Sequence, residues 1–216
     1  MDYFFEREFL AKGYRYAIGC DDVGRGSLAG PVVAAAAVFD LEMFASKVQP
    51  EIFSRVDDSK VVTSLVRELV NGEIKEFLIG HALGVVSHTM IDRYNIHRAS
   101  LCAMRQAVGK IIHGGVSHEA IYPREAIVFV DGRHEIPGLS FSQRAIVDGD
   151  AKIFSVAVAS IVAKVFRDRL MEKLHEEFPV YNFAQHKGYG TREHGEMIRE
   201  HGLSEVHRRT FCGKWL

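Results

Sequence analysis

The chain has 216 residues, of which 47% are hydrophobic and 25% are charged, and its formal net charge at pH 7 is -1. This composition is typical of a globular protein with one large domain, and it excludes a disordered chain, a collagen and a membrane bundle. The near-zero charge also excludes the strongly basic composition of many nonspecific nucleic-acid binders.

The first two apolar runs predict a strand, a turn and a second strand. They cover residues 16–20 and 32–39, and the segment between them, 21–31, holds three glycines and one proline that would stop a helix. The other predicted elements are, in chain order, a helix at 65–77, a strand at 79–86, a helix at 90–112 that ends at Gly114-Gly115, strands at 126–130 and 145–147, and helices at 155–177 and 193–201. Helices mixed with strands predict an α/β fold.

The longest predicted helix, 155–177, has an amphipathic pattern and is stopped by Pro179. The residues after it have a modest basic bias and predict a small helical subdomain at 179–216, appended to a main domain at 1–178. Within this subdomain, we expect residues 207–209 to provide packing and charge pairing.

The cysteines and histidines predict no soft-metal site and no disulfides. Cys20, Cys102 and Cys212 show no Cys-x-x-Cys spacing, and the 11 histidines show no His-Glu-x-x-His spacing. Unpaired cysteines fit a reducing compartment. The opening sequence lacks the pattern of a secretory signal, and no apolar stretch reaches membrane-spanning length. We therefore expect a cytoplasmic protein.

Acidic residues follow several of the predicted strands. Asp21 and Asp22 follow the first strand, Asp131 follows the strand at 126–130, and Asp150 precedes the long helix. Sites in open α/β sheets form at the carboxyl ends of strands, and carboxylates gathered there repel one another unless a cation lies among them. Oxygen ligands of this kind suit magnesium or manganese. Singly, each aspartate fits a turn or cap residue, so the prediction of a metal site depends on the whole set.

Residues 19–38 resemble the first signature of the type 2 ribonucleases H, the ribonuclease HII group, whose pattern is Gly-Ile-Asp-Glu-Ala-Gly-Arg-Gly. Further blocks follow in the order of that family, at 58–60, 91–96, 130–132, 149–152, 155–164, 167–168, 186–191 and 207–211. A lone Gly-Arg-Gly would be a weak signal, whereas ordered blocks from about residue 15 to residue 211 are a strong one.

The resemblance implies a ribonuclease H-like fold, with a mixed central sheet flanked by helices and a small helical C-terminal subdomain. It also implies that Asp21, Asp22, Asp131 and Asp150 hold two Mg2+ or Mn2+ ions. Asp21 would bridge the ions, Asp150 would complete the water-activating ion, and Asp22 with Asp131 would hold the other. The implied reaction hydrolyses the 5′ phosphodiester of ribonucleotides in DNA duplex, and of RNA in RNA–DNA hybrids, leaving 3′-hydroxyl and 5′-phosphate ends.

Two glycine-containing segments predict contacts with a ribose. Gly24, Arg25 and Gly26 allow close backbone approach to a 2′-hydroxyl, a role compatible with a tight turn. Tyr189 lies between two glycines, which suits a ring packed against a nucleotide sugar at the junction between ribonucleotide and deoxyribonucleotide. Without the family pattern, simple turn chemistry would explain this tripeptide.

Polar donors predict contacts with the phosphate backbone of the substrate. We assign this role to Ser59, Lys60, Lys164 and Lys187 because such donors hold phosphates without selecting a sequence. An ion pair between Lys164 and Asp168, one helical turn apart, is an equal alternative for that lysine.

One departure from the family pattern leaves two alternative functions open. Asp22 stands where the family has glutamate, so a hybrid-binding protein with weakened catalysis is one alternative. Another phosphoryl-transfer nuclease on this fold is the second, although residues 24–26 and Tyr189 disfavour it. The partners that we predict are RNA–DNA hybrid and DNA duplex with embedded ribonucleotides. We expect no membrane contact and a monomer.

Overall fold

A computed structural model of the protein describes residues 3–46, 48–56, 63–113 and 120–216. The strands are β1 (Tyr16–Val23), β2 (Val32–Asp40), β3 (Gly80–Val86), β4 (Ala126–Asp131) and β5 (Ser142–Ile146). The α-helices are α1 (Phe4–Ala11), α2 (Ser64–Glu73), α3 (His88–Tyr94), α4 (Ile96–His113), α5 (Gly149–Lys152), α6 (Phe154–Glu177), α7 (Phe183–His186) and α8 (Arg192–His201). Short 3-10 helices cover Leu41–Ala45, Glu51–Arg55, Ile74–Phe77, Pro179–Tyr181 and Arg209–Phe211.

The strands form one mixed sheet in the order β3-β2-β1-β4-β5. Strand β1 runs parallel to β4 and antiparallel to β2, while β4 and β5 are parallel. Neighbouring residues of β1 point to opposite faces, so that Ala17 packs in the core beneath α6 and Ile18 packs in the core beneath α4. The predicted mixed sheet flanked by helices is therefore confirmed.

Glycines allow the helices to lie close to the sheet. A Cβ atom at Gly19 of β1 would overlap the backbone of Ser155 in α6, and one at Gly84 of β3 would overlap the carbonyl of Ala103 in α4. The start of α6 is also fixed by Glu6 of α1, whose Oε1 accepts a 3.0 Å hydrogen bond from the Ser155 amide. Burial raises the pKa of this Glu6 carboxyl. This close packing places α5, which immediately precedes α6, beside the end of β4, where the Gly149 amide donates to Asp131.

The predicted helix at 90–112 is two helices in the structure. Asn95 separates α3 from α4 and adopts a positive φ of 70°. Its Oδ1 accepts a hydrogen bond from the Arg98 amide at 3.1 Å, which starts the second helix. Asparagine favours helix starts because its side chain accepts hydrogen bonds from backbone amides, so a local capping preference interrupts the apolar periodicity. The predicted end at Gly114-Gly115 lies outside the described residues.

The amphipathic pattern predicted for the long helix holds only for part of α6. Residues 154–163 are buried on every side. The sheet covers one side, and aromatic side chains of the 3-10 helices cover the other, with the ring of Phe154 4.4 Å from that of Phe53. The predicted strand at 145–147 overlaps β5, which begins three residues earlier, at Ser142.

The residues after α6 pack against the loop between β1 and β2. Leu28 of this loop lies in one small apolar cluster with Ile198 and Cys212, and Ala29 lies in another with Met171 and Phe183. The division of the chain after residue 178 stays a prediction. In the described part of the chain, no helix is long and apolar enough to cross a membrane.

Candidate active site

Three of the predicted acids lie at the ends of two neighbouring strands. Asp21 and Asp22 are near the end of β1, and Asp131 is the last residue of β4. These strands are parallel and pair Cys20 with Val130, so their carboxyl ends coincide. Asp150, the fourth acid, is the second residue of α5.

Burial and the charges of neighbouring acids both act on Asp21 and Asp22. The pKa of Asp21 is well above its usual range because the side chain is buried, and the charges of Asp131, Asp22 and Asp150 raise it further. Burial also raises the pKa of Asp22, although nearby Arg25 opposes this shift. Asp21 therefore lies where several negative charges converge.

Hydrogen-bond donors hold the acids in place. Ser100 of α4 donates from its hydroxyl to Asp22 Oδ2 at 3.0 Å, and the Gly149 amide donates to Asp131 Oδ1 at 2.8 Å. The hydroxyl of Ser160 bonds to Asp21 and lowers its pKa slightly against the larger raising effects. Ser100 and Ser160 contact the acids and were not among the site residues predicted from the sequence. The sequence signal for Ser160 is its position one helical turn before Lys164.

A cavity of about 240 Å³ opens over the acids and brings most of the predicted site together. It is lined by Asp21, Asp22, Val23, Gly24, Arg25, Gly26, Asp131, Ser160, Lys164 and Tyr189. Asp150 is not among the lining residues and is 4% exposed. Three of the carboxylates, the loop at residues 24–26 (the glycine loop) and Tyr189 thus face one cavity, whose size suits part of a nucleotide.

Two of the residues predicted to contact phosphate, Lys164 and Lys187, line a cavity adjacent to the one over the acids. Lys164 lines the cavity but also forms an ion pair with Asp168 at 2.6 Å. Lys187 lies in an adjacent cavity of about 350 Å³, which Lys164 lines as well, and its Nζ is 2.7 Å from Glu172. Ser59 and Lys60 lie outside the described residues.

Arg208 fixes the glycine loop through hydrogen bonds to its backbone. Its guanidinium is fully buried and donates hydrogen bonds to the backbone carbonyls of Gly24, Arg25 and Gly30 at 2.7, 2.9 and 3.0 Å. Burial, together with the charge of Arg167, lowers the pKa of Arg208 to about 9. The predicted charge pairing of Arg208 is wrong for the described residues, because its partners are carbonyls rather than carboxylates.

Arg167 of α6 joins the same loop to the segment that carries Tyr189. It donates to the Pro31 carbonyl at 3.1 Å, to Ser27 Oγ at 2.9 Å and to the Lys187 carbonyl at 2.9 Å. The centre of its guanidinium also lies 5.6 Å from the centre of the Tyr189 ring. One buried side chain therefore fixes both predicted ribose contacts relative to each other.

A chain of buried histidines fixes the backbone of Tyr189. The Ser204 amide donates to His207 Nδ1, so the proton of His207 is on Nε2 and points to His194 Nε2, 3.0 Å away. His194 then donates from Nδ1 to the Tyr189 carbonyl at 2.9 Å. Burial lowers the pKa of His194 and His207 to about 4, so both rings are neutral at pH 7.

The donor set of the acids suits a hard divalent cation. No three Asp, Glu, His or Cys side chains of the described residues are arranged to hold a metal ion as they stand. The ligand chemistry nevertheless fits, since carboxylate oxygens are the donors that Mg2+ and Mn2+ prefer. A cation at Asp21 would also offset the burial and the neighbouring negative charges that together raise the pKa of this carboxyl.

Comparisons with known proteins show which family and which solved structures the chain resembles. The pattern of the family described as Ribonuclease HII matches residues 18–214. Ribonuclease HII of Caldicellulosiruptor saccharolyticus is 42% identical over 206 residues, which cover 95% of this chain and 91% of that protein. The crystal structure of the ribonuclease H2 from Pyrococcus horikoshii OT3 has a TM-score of 0.70 at 23% identity, covering 93% of this chain and 96% of that one. The structure of Bst-RNase HIII in complex with Mn2+ has a TM-score of 0.68 at 19% identity, covering 94% and 70%.

Replacing Arg208 should destabilise the protein. We expect Arg208→Met to lower the free energy of unfolding by about 2–4 kcal/mol, because three buried carbonyls lose their donor. The adjacent Arg209→Met, at an exposed side chain, should change it by less than about 0.5 kcal/mol. Urea unfolding of both variants measures this difference, and equally small effects would contradict the role assigned to Arg208.

Proposed function

The chain belongs to the ribonuclease HII family and is a metal-dependent endoribonuclease, and we propose that it acts on ribonucleotides embedded in DNA duplex and on RNA in RNA–DNA hybrids. The bond hydrolysed is the 5′ phosphodiester of the ribonucleotide, which leaves 3′-hydroxyl and 5′-phosphate ends. The observation that supports this most directly is the single cavity in which three carboxylates face residues 24–26 and Tyr189.

In this proposal, the aspartates hold two divalent cations, Mg2+ or Mn2+. Asp21, which interacts with the other three acids, would be the ligand common to both ions, Asp150 would complete one ion, and Asp22 and Asp131 would hold the other. When bound, the ions supply an activated water and positive charge at the leaving oxygen. The chain itself orients the ligands, through Ser100 at Asp22 and the Gly149 amide at Asp131.

The loop at 24–26 and Tyr189 recognise the ribose. Arg208 fixes the carbonyls of Gly24 and Arg25, so the loop presents its backbone to a 2′-hydroxyl in one conformation. The ring of Tyr189 faces the same cavity and packs against the neighbouring sugar. This recognition distinguishes the proposed activity from a nuclease that cuts DNA alone.

Lys164 and Lys187 hold the phosphates of the strand beyond the ribose. Lys164 lines both the cavity over the acids and the adjacent cavity that contains Lys187, so the two lysines mark a path between them. We propose Ser59 and Lys60 as further phosphate contacts on the family pattern alone.

We also propose that the protein works as a monomer in the cytoplasm. Its cysteines are unpaired, and two of them, Cys20 and Cys212, are buried, which suits a reducing compartment. Residues 179–216 would form a subdomain whose contacts with Leu28 and Ala29 keep the ribose-binding loop in place.

The proposed activity is tested with a DNA duplex that contains one ribonucleotide. We expect incision at its 5′ side in Mg2+ and none in excess chelator, and Asp131→Asn should lower the rate by roughly 100-fold or more. Asp40→Asn, at the opposite end of the sheet, is the matched control and should cut normally. Equal cutting of an all-DNA duplex, or undiminished cutting in chelator, would refute the proposal.

The shorter acid at position 22 should weaken the binding of one ion. Glutamate would extend the carboxylate by about 1.5 Å beyond its present contact with Ser100. We therefore expect Asp22→Glu to lower the Mg2+ concentration needed for half-maximal cleavage or to raise the rate. Asp131→Glu, which lengthens an acid that the family keeps as aspartate, should lose activity instead. Loss of activity in Asp22→Glu as well would mean that the pocket is built around aspartate.

A further inference from the structure

A second cavity, of about 300 Å³, adjoins the candidate active site. Asp131 and Arg25 line both cavities, so these two residues form a wall that the cavities share. Its remaining walls come from the first turns of α4 and from the loops that follow β4 and β5. Of the loop at 24–26, Arg25 alone lines this cavity, and Tyr189 does not line it.

One part of this second cavity is apolar. Leu101 and Met104 of α4 line it, together with Val147, which is 45% exposed although it is hydrophobic. His97 lies on the same face of α4, because it is four residues before Leu101 and seven before Met104. Such a surface offers contact to the flat, weakly polar faces of a sugar or a base.

The other part of the cavity carries donors that suit phosphate. The rings of His97 and His134 meet edge to face with their centres 4.8 Å apart, and both side chains are exposed. Arg133, next to His134, is exposed and has no carboxylate within ion-pair distance in the described part of the chain. Guanidinium and imidazole N–H groups are common donors to phosphate oxygens.

Acidic groups limit where an anion could lie in this cavity. Asp131 forms the wall shared with the active site, and Asp148 lies at the edge, 4.0 Å from Lys152. A phosphate is therefore favoured near Arg133 and the two histidines, away from Asp131. The cavity offers an apolar surface and a separate group of phosphate donors, which is the pattern of a nucleotide site.

We propose that this cavity holds the nucleotide joined to the ribonucleotide through the scissile phosphate, on its 5′ side. The proposal rests on the function proposed above, in which the scissile phosphate lies at the acids and the ribonucleotide lies against residues 24–26. The strand must then continue past Asp131. The apolar surface contacts the sugar or base of the 5′ nucleotide, and Arg133, His97 and His134 bind the next phosphate.

The test combines two substrates with three proteins. One duplex is unmodified around its single ribonucleotide, and the other carries an uncharged methylphosphonate in place of the next phosphate on the 5′ side. For the wild type, we expect the uncharged linkage to lower kcat/KM by roughly 5- to 10-fold. Arg133→Ala should show a similar loss on the unmodified duplex and little further loss on the uncharged one, because the contact is already absent.

The third protein is a control for the loss of one arginine. Arg124→Ala removes an exposed arginine just before the start of β4, at the opposite end of that strand from Asp131. It should behave as the wild type on both duplexes. The proposal is overturned if the uncharged linkage lowers kcat/KM equally in the wild type and in Arg133→Ala. If the wild type cuts the unmodified duplex but ignores the linkage, only the subsite fails, whereas no cutting of the unmodified duplex overturns the proposed function and the subsite together.

Discussion

The repulsion among buried carboxylates at one end of the sheet is the constraint on which this structure depends. Strands β1 and β4 are parallel neighbours, so the fold cannot separate Asp21 from Asp131 without breaking the pairing of those strands. Two unit charges about 4 Å apart repel by about 4 kcal/mol at an effective dielectric constant of about 20. Donors such as Ser100 and the Gly149 amide reduce this cost, and a divalent cation would reverse its sign.

Buried arginine and neutral histidine side chains hold the segments around the acids in place. Arg208 and Arg167 bind backbone carbonyls of the loop that follows β1, and neutral His194 binds the carbonyl of Tyr189. These contacts fix the groups that we propose to bind the ribose, which would lower the cost of ordering them when substrate binds. The sheet therefore positions the acids of the cavity, whereas buried side chains position residues 24–26 and Tyr189.

The acids and the glycine loop could be predicted because they follow apolar runs whose strand character is local. The residues that support them could not, because their contacts join distant parts of the chain. Arg208, for example, bonds to a carbonyl 184 residues away. The break of the helix at Asn95 depends on the backbone conformation and the capping hydrogen bond of one residue, which apolar periodicity does not detect. The pairing of Lys187 with Glu172 likewise depends on how the C-terminal segment packs on α6.

The central claim, that the acids are held together against their repulsion and are stabilised by a cation, is tested most directly by thermal unfolding with and without Mg2+. Without divalent ions, Asp21→Asn should raise Tm by about 2–4 °C, because one of the repelling charges is removed. Added Mg2+ should raise Tm of the wild type and have much less effect on the variant, since the cation binds the folded state through that carboxylate. A lower Tm for Asp21→Asn without metal, together with equal Mg2+ effects on both proteins, would contradict the account.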